Sequence, residues 1–194
     1  NNNLFKGNAW LSSLTTSTGK DVVGIKGLFA SNGNQITNQG RIYIKATKEA
    51  FWRSQGMFAM DGTIVNDKDG VIVTDNAYGM AAGNGEGVVS GSNTLTNKGT
   101  IYVNGGAGME LGTGIETTGT NSGTIIANPS SAEGVDSIGV LFGMSNGQTA
   151  EFENTGIIDA SNGTHAIKVD SGSANINLTK GTVKGAIQIG GKTN

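Results

Sequence analysis

Cysteine is absent from this 194-residue chain. There can be no disulfide, no thiol nucleophile and no cysteine-based zinc site. Proline occurs once, at Pro129, which excludes collagen-like and Pro-rich linker character. Histidine also occurs once, at His165. Charged residues make up only 14%, and the net charge of −2 leaves no basic field to attract nucleic acid. No apolar run approaches the ~20 residues a membrane helix needs, so no membrane insertion by this chain is expected. There is no initiator methionine and no signal-like segment at Asn1, so the chain reads as an excised or processed fragment.

What is abundant is glycine, 33 of 194 residues, against a usual share of ~7%. Asn, Ser and Thr are plentiful beside it. Hydrophobic residues, at 36%, are few for a compact globule but enough for a thin, elongated core. The surface is therefore polar and mostly uncharged.

One stretch organises the rest. Leu95-Thr96-Asn97-Lys98-Gly99-Thr100-Ile101-Tyr102-Val103 places an Asn and a Gly between two short runs of alternating apolar character, a strand, a tight corner and a strand. The pattern returns at Ile36 to Ile44, Ile64 to Val73, Asn121 to Ala127 (with a degenerate upstream strand, Thr118-Gly119-Thr120) and Phe152 to Ala160, with a worn copy at Leu178 to Val183. By subtraction, Asn38, Asn66, Asn97, Asn121 and Asn154 lie 28, 31, 24 and 33 residues apart. A repeat of this length with variable insertions indicates a solenoid, a propeller or an array.

A second unit, apolar residues around a Gly, alternates with the first. It runs through Gly27-Leu28-Phe29, Gly56-Met57-Phe58, Gly79-Met80-Ala81, Gly108-Met109-Glu110 and Gly139-Val140-Leu141, and continues at Ala166-Ile167-Lys168. Each repeat then holds three short strands, with no helical pattern and no four-strand blade. The expected fold is all-β: a right-handed parallel β-helix of three strands per turn and about six to seven turns. Residues 1–21 are expected to form a cap or atypical first turn, with Phe5 and Trp10 plugging the open end, and residues 22–194 the β-helix proper. Ile42, Ile72, Ile101, Ile125 and Ile157 should form one internal ladder. The five corner asparagines should stack, bridging turns through their amides and accepting left-handed backbone angles.

The repeated Asn-x-Gly-x-Ile followed by Gly-Met or Gly-Val, over about residues 22 to 189, resembles the β-helical passenger domains of bacterial autotransporters, the type V secretion proteins. That resemblance implies an extracellular or cell-surface location, attached to or released from an outer-membrane β-barrel that lies outside this chain. It implies the work of an adhesin, a self-association factor or a toxin in virulence. The lack of cysteine suits export in an unfolded state. No catalytic motif of such proteins is present.

Chemistry has few candidates. His165, the single histidine, sits in an apolar strand unit. Asp67 and Asp69 alternate before Gly70, a partial calcium loop that lacks further ligands. Asp61, Asp67, Asp69 and Asp75 are the carboxylates a β-helix lyase or glycosidase would need on one face. The best binding candidate is the insertion carrying Phe51, Trp52 and Arg53, with Phe58 nearby, since aromatic and Arg residues anchor interfaces. Their rings either project or fold back over the core edge. Tyr43 and Tyr102 occupy equivalent outward positions. No cofactor is expected. The leading expectation is a non-enzymatic β-helix that binds a host cell-surface protein or glycan, or another copy of itself. A carbohydrate-active β-helix enzyme and a spacer stalk are the alternatives.

Overall fold

The computed structural model describes residues 2–12, 24–83, 91–112, 116–143 and 149–190. The first two residues of the expected β-helix, Val22 and Val23, and residues 84–90 lie outside them. Three parallel sheets of seven strands each form a β-solenoid, and every coil contributes one strand to each sheet. The first sheet comprises Asn2–Phe5, Gln35–Asn38, Thr63–Asn66, Ser92–Asn97, Glu116–Asn121, Thr149–Asn154 and Ser173–Asn177. The second comprises Asn8–Ser12, Arg41–Lys45, Val71–Asp75, Thr100–Asn104, Thr124–Asn128, Ile157–Asp159 and Thr182–Lys184. The third comprises Lys26–Ser31, Gln55–Met60, Tyr78–Ala82, Gly106–Leu111, Ser137–Gly143, His165–Ser171 and Ile187–Ile189. At ~4.8 Å per rung the stack is roughly 30 Å long.

The segment expected to cap the stack supplies two regular strands of the first coil. Asn2–Phe5 and Asn8–Ser12 pair in register with Gln35–Asn38 and Arg41–Lys45. Phe5 is half-buried against the core. Trp10 does not plug the end: it is 76% exposed and lies on the outer face with its ring 4.0 Å from that of Tyr43. Alternation explains this, because Ala9 and Leu11 take the inward positions of that strand.

The core runs along the axis. On the second sheet Ile42, Ile72, Ile101 and Ile125 stack in register and are fully enclosed. The fifth member is Ile158, at 0% exposure, and not Ile157, at 42%. The inward side chain is the second residue after the corner glycine in every coil, and Gly156 makes that residue Ile158. Ile157→Ser should therefore change stability by under about 0.5 kcal/mol, while Ile158→Ala should cost about 3 kcal/mol. Urea titration followed by circular dichroism separates the two.

The third sheet adds Met57, Met80, Met109, Val140 and Ile167 in a second buried column. The strand that looks degenerate in sequence, Glu116–Asn121, is complete. Gly119 replaces an apolar residue there because a Cβ would lie 2.7 Å from Leu111 and 3.0 Å from Phe152. The Phe152 ring meets Phe142 edge-to-face at 5.9 Å and fills that space.

The corner asparagines form one continuous buried ladder. Each Nδ2 donates to the Oδ1 of the next coil, at 2.8, 2.9, 2.8 and 2.7 Å from Asn38 through to Asn154. The same amides also reach backbone carbonyls, such as that of Ile157 for Asn121, at 3.2 Å. None of the five has a left-handed backbone, contrary to expectation. Among the described non-glycine residues that conformation belongs to Asn32, Asp61 and Asn76, at other corners. The following glycines also keep negative φ. What they supply is space: a Cβ on Gly99 would meet the Gly70 carbonyl of the preceding coil.

Candidate functional site: a groove over the third sheet

The outer face of the third sheet is built up where the repeat is interrupted. Residues 46–54 and 129–136 both leave the second sheet and return to the third, so both lie along one edge of it. On that face Tyr78, Ala81, Ala107, Ile138 and Leu141 make a second apolar cluster, separate from the axial core, with Phe51 and Phe58 packed against it.

The first insertion winds into a short 3-10 helix, Lys48–Arg53, with Ala50 buried beneath it. Its seat is specific. Gly24 lies so close to the Arg53 carbonyl that a Cβ could not fit between them. Ser54 Oγ accepts from the Ile25 amide at 3.2 Å, and Gln55 Nε2 donates to the Trp52 carbonyl at 3.2 Å. The two aromatic residues of the helix part company. Phe51 folds back edge-on to Tyr78, with ring centres 6.1 Å apart. Trp52 projects, 51% exposed, with the Arg53 guanidinium 4.2 Å above its ring. The alternatives of projecting and folded rings are both realised, one in each residue.

Between the helix and the sheet lies a groove of about 490 Å³ lined by Lys26, Trp52, Arg53, Gln55, Phe58, Tyr78 and Glu110. Beyond Tyr78 a second hollow of about 230 Å³ is lined by Phe51, Ile138, Leu141, Asp136, Lys168 and Asp170. Tyr78 is the partition between them. Its phenol is pushed well above its ordinary pKa by burial first, then by the charges of Glu110 and Asp170.

The ionisable groups differ in how they are satisfied. Lys168 bridges Asp136 at 3.2 Å and Asp170 at 3.3 Å. Burial opposes its charge, but those hydrogen bonds outweigh it and raise its pKa. Lys26 and Arg53 have no carboxylate at ion-pair distance among the described residues. Lys26 rests its ammonium 4.7 Å from the centre of the Phe58 ring, and desolvation lowers its pKa. A cation over a ring gains about 0.5–1 kcal/mol at an exposed site. Glu110 keeps part of its surface open to the groove, yet desolvation of its carboxyl pushes its pKa up to about 8. At neutral pH it is mostly the neutral acid, a hydrogen-bond donor. Gln55 is buried, and its Oε1 has no donor among the described residues.

The other sequence candidates fall elsewhere. Asp67 accepts from Gln39 Nε2 at 2.8 Å, which lowers its pKa together with the Lys68 amide and the charges of Lys98 and Lys68. Asp69 is exposed at the same corner. No group of three or more metal-ligating His, Asp or Glu residues occurs among the described residues. Asp61, Asp67 and Asp75, adjacent in sequence, sit at three different corners of the solenoid and share no face. Asp75 instead binds the Tyr43 hydroxyl, raising that phenol to about 12, and Asn104 Nδ2. His165 lies in the outer column beside Ile138, and its Nδ1 makes no hydrogen bond among the described residues. Tyr43 and Tyr102 share an outward column but are separated by Val73. Asn38, Asn66, Asn97, Asn121 and Asn154 are interior scaffold and present nothing to a ligand.

Lys26, Gln55, Tyr78 and Glu110 escaped the sequence reading because each lies within an ordinary strand unit. One signal was visible. Glu110 takes the place that Phe58, Ala81 and Leu141 hold in the other Gly-apolar units, a carboxyl where the repeat calls for an apolar residue. Compared with protein-family models, with curated protein sequences and with solved structures, the chain matches none.

Proposed function

We propose that this chain is a binding segment of an extracellular β-solenoid, and that its ligand occupies the groove between the Lys48–Arg53 helix and the third sheet. The observation that carries this is the convergence of four ring-bearing or cationic side chains, Trp52, Arg53, Lys26 and Phe58, on one groove set into an otherwise polar, weakly charged rod. Rings and Arg concentrate binding energy where they can be desolvated by a partner. The autotransporter resemblance supports the same reading: a rod displayed outside a bacterial cell, acting by adhesion to a host surface.

A second reading, self-association, draws support from the second sheet. Its outer face exposes Trp10, Tyr102 and Ile157, with Tyr43 half-buried against Trp10. One pair of variants decides between them. Trp52→Ala with Arg53→Ala should reduce binding to host cells at least tenfold, with an unchanged circular dichroism spectrum. Trp10→Ala with Tyr102→Ala should leave cell binding intact. The reverse pattern, together with a shift from dimer to monomer in sedimentation, would establish self-association instead.

A further inference from the structure

Resting on that reading of the groove, we infer that its ligand is an acidic oligosaccharide, with an anionic group between Lys26 and Arg53 and a pyranose ring against the Phe58 and Trp52 side chains. Four observations point to this class. The first is charge. The groove holds two cations, exposed Lys26 and Arg53, which have no carboxylate partner among the described residues and each rest against a ring face. A carboxylate or sulfate would offer charge-assisted hydrogen bonds, which are stronger than the ring contacts they would replace. The second is that the carboxyl in the groove does not cancel those cations at neutral pH, because desolvation keeps Glu110 protonated up to about 8. As a neutral acid it donates to a ligand oxygen.

The third observation is the lining. An exposed Trp52 ring and a half-buried Phe58 ring, the latter stacked 5.8 Å from Phe29, stand next to hydrogen-bonding groups and suit a ring that is apolar on its faces and polar at its edge. Gln55 Oε1 is a buried acceptor without a donor in the same lining. The volume of about 490 Å³ is in the range of small-ligand sites. The fourth observation separates a glycan from an acidic peptide. Of the third-sheet strands that floor the groove, Gln55–Met60, Tyr78–Ala82 and Gly106–Leu111 are paired on both sides and Lys26–Ser31 ends the sheet, so a peptide added as a strand would extend the stack rather than fill the groove. A sugar needs only ring faces and side-chain hydrogen bonds.

The groups facing Glu110 give the inference a pH signature. They are Lys26 from the first third-sheet strand, Arg53 from the helix, Tyr78 from the neighbouring strand, and Asp170 and Lys168 beyond it. Above pH ~8 Glu110 ionises beside the bound anion and repels it. Lys26 also titrates on the alkaline side, in an E110Q variant as in the wild type, and an ionised Glu110 makes Lys26 hold its proton more tightly. The ratio of wild-type to E110Q affinity therefore reports the net effect of the carboxyl.

The test uses the purified chain on an array of acidic and neutral oligosaccharides, with calorimetry on a uronate tetramer, a sulfated tetrasaccharide, a neutral glucan tetramer and a poly-glutamate peptide. Acidic glycans should bind at least tenfold more tightly than neutral ones, the uronate and sulfated arms showing which anion is preferred. K26A and R53A should each weaken that binding about tenfold. The wild-type to E110Q ratio should fall roughly fivefold between pH 7 and pH 9. Equal binding of neutral glycans, retention of binding by the K26A/R53A double variant, tighter binding of poly-glutamate, or no acidic glycan bound at all would each overturn the ligand class. If that happens while W52A still abolishes cell binding, the groove remains the site. If W52A leaves cell binding unchanged, the groove reading itself fails.

Discussion

Gly79→Val is expected to unfold most of the stack. Gly79 is the middle of a column, Gly27, Gly56, Gly79, Gly108 and Gly139, at the entry to successive third-sheet strands. A Cβ on Gly79 would stand 2.6 Å from the Gly108 carbonyl oxygen and 2.7 Å from Ile101 Cγ2. The carbonyl belongs to the backbone of the next coil and the methyl to the axial isoleucine ladder, so neither can step aside. Overpacking of a well-packed core costs about 1–3 kcal/mol when side chains can shift. Gly79→Ala should fall at the top of that range, about 3 kcal/mol. The Val variant should lose about 5 kcal/mol or more, comparable with the whole stability of a small domain. Solenoid coils depend on their neighbours, so the loss spreads beyond one coil. Gly143, where an added Cβ meets nothing within 4 Å, is the control. Its change to Ala should stay within about 0.5 kcal/mol. Urea midpoints by far-ultraviolet circular dichroism measure all three. A Gly79→Ala midpoint equal to that of the parent would show that the coils separate easily, contrary to this account.

Asn97→Leu is expected to cost about 3–4 kcal/mol, much more than the same change at Asn154. Asn97 is central to the ladder. Its loss leaves buried Asn121 Oδ1 without its donor, and leaves Asn66 Nδ2 only the longer bonds to the Gly70 and Thr100 carbonyls at 3.3 and 3.5 Å. Each buried polar group left without a partner costs about 1–3 kcal/mol. The aligned amides also polarise one another, so a break in the middle weakens both halves. Asn154 ends the ladder. After it the chain places Leu178 in the next coil, half-buried against the core, just as Phe5 stands at the other end opposite Asn38. Asn154→Leu only shortens the ladder by one rung. Asn121 Nδ2 then still reaches the Ile157 carbonyl at 3.2 Å. The expected cost is about 1–2 kcal/mol. Equal costs at the two positions would mean that the amides act singly and not as a chain.

These two results bear on how the repeat encodes the fold. A coil is specified by one inward residue on each side of the corner, an amide at the corner and a glycine after it. Each of these is a local requirement that recurs at the same place, so it shows in the sequence. The departures from that simple repeat are also local. Ile157 follows Gly156 directly and stands one place short of the Ile of Asn-x-Gly-x-Ile, which is Ile158 and lies inside. A slip of one residue moves a strand side chain to the opposite face. The left-handed asparagines were expected because Asn tolerates that conformation, whereas the corner requires room for the preceding coil's carbonyl.

The site was half visible. Phe51, Trp52, Arg53 and Phe58 stood out because an insertion rich in aromatic residues interrupts a plain repeat. Their partners could not be found in the same way. Lys26 precedes Trp52 by a full coil and Glu110 follows it by two, and only the stacking of coils brings them to one groove. The desolvation that sets Glu110 apart depends on what covers it, which has no linear signature.

By itself, then, the sequence determined the solenoid, its three strands per coil and its asparagine ladder, because each depends on residue type at a fixed spacing. The tertiary structure decided the outer face of the third sheet. There, residues from four separate segments meet in the groove across the stack, and their burial and charge come from neighbours that are distant along the chain.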